Sequence, residues 1–70
     1  MRAKLNLVTM KDAVDFVNIV TAIQEPVLLV GEDFRVSAKS LMGVVYSLEW
    51  NEIWCECEKD IYTKIEKFVV

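Results

Sequence analysis

The sequence has no histidine, one proline and two glycines in 70 residues. Without imidazole the chain lacks the side chain whose ordinary pKa lies near neutrality, which is also the commonest general acid or base and a frequent metal ligand. That absence points away from an enzyme and toward a protein that works by binding a partner. The scarcity of glycine and proline leaves little punctuation, so most of the chain is expected in regular elements that follow one another closely. No apolar run approaches the ~20 residues of a membrane-spanning helix, and Met1-Arg2-Ala3-Lys4 is not followed by the apolar stretch of a signal peptide. Both features lead us to expect a cytoplasmic protein without membrane insertion. Nor is there a run of Lys or Arg: 8 basic residues stand against 11 acidic ones, a net charge of −3. Phosphate neutralisation needs a basic face, so nucleic acid is not the expected partner.

Cysteine is also scarce, being limited to Cys55 and Cys57. Two thiolates with no histidine and no further cysteine cannot complete a tetrahedral metal site within one chain. On a strand the pair would lie side by side on one face, too close in sequence for an ordinary bridge. Reduced thiols serving as small apolar residues are expected, with neither a metal nor any other cofactor.

What the chain does have is apolar content, 54% of residues, enough for one compact core and too much for disorder. Its length allows a single domain over residues 1–70, of modest stability. Leu5 and Leu7 alternate with Lys4 and Asn6, predicting a half-buried strand over residues 4–8. Thr9 then caps a helix, with Asp12 three residues on as a variant of the capping box. Ala13, Phe16, Val17, Val20 and Ile23 follow at helical spacing, and Pro26 is expected to stop that helix. Val27 to Val30 is a short apolar strand, Gly31-Glu32-Asp33 a turn, and Phe34 to Val36 its returning partner. A second helix begins near residues 37–40 and runs through Leu48, apolar on more than one face. Ile53, Cys55 and Cys57 point one way along a last strand, with Trp54, Glu56 and Glu58 on the other side. Asp60 caps a short helix whose buried side is Ile61, Ile65 and Phe68. The order βαββαβα predicts an α+β fold, a four-stranded antiparallel sheet covered on one face by helices. A ferredoxin-like strand order competes with it, and periodicity does not separate the two.

The stretch Ser37-Ala38-Lys39-Ser40-Leu41-Met42-Gly43-Val44 resembles the regulatory-serine segment of HPr, the phosphocarrier of the bacterial sugar phosphotransferase system. Val45-Tyr46-Ser47-Leu48 continues it with one residue more than the usual family segment. The element order also matches, and Ala13, Phe16 and Val17 fall where the family's first helix has its A-x-x-F-V pattern. The resemblance covers nearly the whole chain and implies an HPr-like open-faced β-sandwich. The family carries phosphate on the histidine of G-L-H-x-R-P at the start of its first helix. Here Thr9 takes the histidine's place, Lys11 the arginine's and Asp12 the proline's, and the glycine-bearing loop is missing. A threonine hydroxyl gives a stable ester and needs an activating base, so the resemblance implies a protein related to this system that has lost the histidine carrier function. The free amides at the start of helix 1, beside Thr9 and Lys11, remain a candidate for weak anion binding.

The resemblance marks Ser40 as a candidate for regulatory phosphorylation by an HPr-type serine kinase, acting in carbon catabolite control. The plainer reading is a helix cap worth about 1 kcal/mol. It also places Leu41, Met42, Val45 and Leu48 on the family's partner-docking patch. Against that, helix 2 needs a buried face, and core is the stronger expectation for Leu41 and Leu48, while Met42 and Val45 fit either role. The partners implied are phosphotransferase-system proteins or a transcriptional regulator. An HPr-fold domain with an unrelated partner is the alternative. Trp54, facing outward near Trp50, suits either a homodimer surface or a cover for the sheet face. Glu56, Glu58 and Asp60 read as a solvated polar face.

Overall fold

The computed structural model, which describes residues 1–70, contains four strands and three helices. They are β1 (Arg2–Leu5), α1 (Met10–Val20), β2 (Leu28–Val30), β3 (Arg35–Ser37), α2 (Leu41–Ser47), β4 (Ile53–Glu56) and α3 (Tyr62–Ile65), the last continued by a 3-10 turn over Glu66–Phe68. The sheet order is β1-β4-β2-β3, every neighbouring pair antiparallel. β4 therefore fills the slot between β1 and β2, which themselves run parallel. The hairpin strand β3 lies at the edge, and this excludes the ferredoxin-like order.

The register explains which face is buried. Ala3, Cys55, Leu29 and Val36 stand in one row across the four strands. Side chains alternate along a strand, so this row faces the helices together with Leu5 and Ile53. Lys4, Trp54, Val30 and Arg35 form the neighbouring row on the opposite, open face. The core joins the inner row to Phe16, Val17 and Val20 of α1, Val44 of α2, and Ile61, Ile65 and Phe68. Phe16 and Phe68 meet edge to face, centroids 5.6 Å apart. Fully burying a side chain of this size contributes about 1.5–3 kcal/mol.

Several expectations need correction, among them Asp60 as the cap of α3, a position held by Ile61 with no side-chain cap bond. β1 starts earlier than its alternation suggests: Arg2 and Ala3 pair with Glu56 and Cys55, and regular pairing ends at Leu5. Leu7 is still buried, because Asn6 N–H donates to the Phe68 carbonyl at 2.7 Å and holds the chain against the C-terminal turn. α1 ends at Val20, well before Pro26: Ala22 and Ile23 donate to the carbonyls of Ile19 and Val20, tightening the last turn, and the Lys39 ammonium donates to the Ile23 carbonyl. α2 ends at Ser47, Leu48 being its cap. Its buried face is narrower than expected, Val44 and Ser47 alone, with the Ser47 hydroxyl donating to the Val44 carbonyl at 2.6 Å.

Candidate functional site

The two helix N-termini are built differently. At α1, Thr9 is extended and its hydroxyl accepts the Asp12 N–H at 3.1 Å. The Asp12 carboxylate reaches back to accept the N–H groups of Val8 at 3.0 Å and Thr9 at 3.1 Å, completing the capping box. Those two amides, Val8's before Thr9's, hold the Asp12 carboxyl below its ordinary 3.8. The Lys11 ammonium bonds the Asp15 carboxylate at 2.7 Å, one turn on. That hydrogen bond and the adjacent charge raise the Lys11 pKa. Both groups considered for an anion thus sit beside carboxylates of their own helix.

At α2 the cap is a single bond: the Ser40 hydroxyl accepts the Gly43 N–H at 3.2 Å. No acidic residue lies in the first turn, and Ser40 is exposed. Gly43 lets the helix lie close on β3, because a Cβ there would stand 3.1 Å from the Val36 Cβ and 3.3 Å from the Ser37 carbonyl oxygen. With α2 pressed down along Gly43, Val44 and Ser47, its other residues face outward. Met42 is 85% exposed and Leu41 42%; Leu41 is therefore not core, contrary to expectation. Val45 and Leu48 are half-buried and rest against the core. Around α1, Val8 and Met10 are exposed as well.

Where α2 runs toward β4, three aromatic rings cluster. Phe34 from the hairpin stacks on Trp50, centroids 5.7 Å apart and planes 15° apart, and Tyr46 of α2 meets both edge-on at 5.4 and 5.9 Å. Trp50 lies over Gly31, whose missing Cβ would sit 2.7 Å from Cε3 of the indole. Its Nε1 is buried without a hydrogen-bond partner, at a cost on the order of 1–3 kcal/mol. Tyr46 and Trp50 are four residues apart, one helical turn, whereas Phe34 joins them from the hairpin, and the sequence carries no local signal for that meeting.

On the open face Arg2 lies over the Trp54 ring at 4.5 Å and its Nε pairs with Glu56 at 3.2 Å. Glu52 accepts the Trp54 indole N–H at 3.2 Å and pairs with Lys4 at 3.4 Å. Trp54 then Lys4 lower the Glu52 pKa. Trp54 thus covers part of the sheet within a polar frame, and Glu58 and Asp60 are exposed. Cys55 and Cys57 are buried free thiols. Burial first, then the neighbouring Cys57, pushes the Cys55 thiol up to about 12, so it stays protonated and unreactive near neutrality.

No protein-family model matches the sequence, and no curated protein matches it. Among solved structures the fold has a counterpart in the crystal structure of HPr-C-His from Thermoanaerobacter tengcongensis, with a TM-score of 0.71 and 20% sequence identity, covering 94% of this chain and 83% of that one. The fold is therefore HPr-like. No helix is long and apolar enough to cross a membrane.

Proposed function

We propose that this HPr-fold protein is a non-catalytic docking or regulatory module that binds phosphotransferase-system proteins through the start of α2 and carries no phosphate on histidine. The carrying observation is the exposed pair Leu41 and Met42, directly after the Ser40 cap, on a helix whose buried face is only Val44 and Ser47. Exposed apolar side chains in a cluster mark contact surfaces, and methionine adapts to varied partners. The histidine count of zero supports loss of the carrier step, and so does the resemblance, which sets Thr9 in the place of the HPr histidine.

The test is a titration of the 15N-labelled protein with purified enzyme I of the phosphotransferase system, followed by incubation of the pair with labelled phosphoenolpyruvate. Saturable shifts at Leu41, Met42 and Val45, abolished by Met42→Glu, with no acid-labile label on the protein, are expected. Stoichiometric acid-labile label refutes the loss of carrier function; absence of binding refutes this choice of partner.

A second reading rests on Ser40 itself. Its hydroxyl is exposed and held at the first turn of α2, where a phosphate would meet free amides and no carboxylate of that turn. In this reading the protein is a substrate of an HPr-type serine kinase. Phosphorylation of the wild type but not of Ser40→Ala supports it.

A further inference from the structure

We propose that the cleft between the β2–β3 turn and the α2–β4 connection docks a basic side chain, arginine or lysine, presented by a partner protein. The cleft is an open cavity of about 730 Å³, walled by Phe34, Trp50 and Trp54 and rimmed by Glu32, Asp33, Glu49 and Glu52. It shares no residue with the docking patch at the start of α2, so it stands or falls separately from that reading.

Three observations carry it. The first is unbalanced charge. Glu32, Asp33 and Glu49 are exposed and make no ion pair or side-chain hydrogen bond, whereas Glu52 is tied to Lys4 and Trp54. The one cation in the wall, Arg2, is already engaged by Glu56 and the Trp54 ring. The second is the aromatic wall. Phe34 is 46% exposed yet stacked on Trp50, and a cation over such rings is attracted by their negative faces. The third is packing. Trp50 is wedged over Gly31 and buttressed by Tyr46, which fixes the plane of the indole. Preorganised aromatic surface spends little conformational entropy when it binds. Aromatic faces and unpaired carboxylates together select a planar or compact cation over a neutral apolar group.

The probe is acetyl-Gly-Arg-Arg-Gly-amide, titrated into the 15N-labelled protein, with acetyl-Gly-Gln-Gln-Gly-amide as the neutral control. Expected are saturable amide shifts confined to residues 31–34 and 49–52 and to the two indole N–H groups, absent with the control. The triple variant Glu32→Gln/Asp33→Asn/Glu49→Gln, all on the surface, should weaken binding about tenfold, and Phe34→Ala about threefold. Shifts spread evenly over all acidic residues, an unchanged affinity in the triple variant, or equal binding of the neutral peptide each overturn the proposal. Tighter saturation by spermidine than by the peptide assigns the cleft to a free polyamine and overturns the protein partner. Shifts at the same residues on concentrating the protein alone do so in favour of a second copy of the chain.

Discussion

The N-termini of α1 and α2 solve one physical problem in opposite ways. Each leaves backbone amides without partners and a positive dipole end. α1 closes its end from within: Thr9 and Asp12 take the amides reciprocally, and Asp15 occupies Lys11. α2 leaves its end open, with one hydroxyl bond from Ser40 and exposed Leu41 and Met42 beside it. The first is a finished structural joint. The second keeps unsatisfied polar groups and apolar surface together, a combination suited to a partner and to added negative charge. The helices differ in the same sense below their ends, because α1 buries four residues including Phe16, while α2 buries Val44 and Ser47.

The largest effect expected from this contrast is in the core. Phe16→Ala removes a fully buried ring that packs on Phe68 and should cost about 3–5 kcal/mol in urea unfolding, whereas Met42→Ala, on an 85% exposed side chain, should fall within about 0.5 kcal/mol. A large loss from Met42→Ala would mean that α2 depends on packing the structure does not contain.

Next in size is the cap of α1. Thr9→Ala should cost about 1 kcal/mol, and its effect should not add to that of Asp12→Asn, since each side chain holds the other's backbone. The pH dependence has a definite sign. The Asp12 carboxyl is held below its ordinary 3.8 in the folded protein, so its contribution is fully present above that value and is lost as pH falls through the lower folded value. Asp12→Asn should therefore flatten the acid limb of the stability curve. An unchanged acid limb would show that the capping box is not populated in solution.

Much of this architecture was legible in local pattern. Strand alternation placed Ile53, Cys55 and Cys57 inward, the spacing of Ala13, Phe16, Val17 and Val20 gave the buried side of α1, and Thr9 with Asp12 announced its start. The element order and the motif around Ser40 pointed to the HPr-like arrangement. What was not legible depends on contacts distant in sequence. Arg2 belongs to β1 because Glu56 lies opposite it. α1 ends at Val20, where Ala22 and Ile23 tighten the last turn onto the Ile19 and Val20 carbonyls, while Lys39, distant in sequence, holds the Ile23 carbonyl beyond the helix. Leu41 is exposed because Gly43, by approaching β3, fixes the roll of α2. Phe34 joining Tyr46 and Trp50 could not be read, since the hairpin meets the end of α2 only in the folded chain.

The smallest effect is also the one that isolates the difference between the helix ends. Aspartate keeps the capping oxygen of serine or threonine and adds a full negative charge. Ser40→Asp puts that charge on an end with no acidic residue in its first turn, and should stabilise the protein by about 0.3–1 kcal/mol at low salt. Thr9→Asp puts the same charge next to the Asp12 carboxylate, so dipole attraction is opposed by like-charge repulsion, and the net change should be nearly zero or slightly unfavourable. Raising the salt to about 1 M shortens the screening length to roughly 3 Å and should erase the gain at Ser40. Thermal unfolding of the two variants at both salt concentrations measures all four values. Equal shifts at the two positions would show that α1 is as open to an added anion as α2, and the distinction between a closed end and an open one would fail.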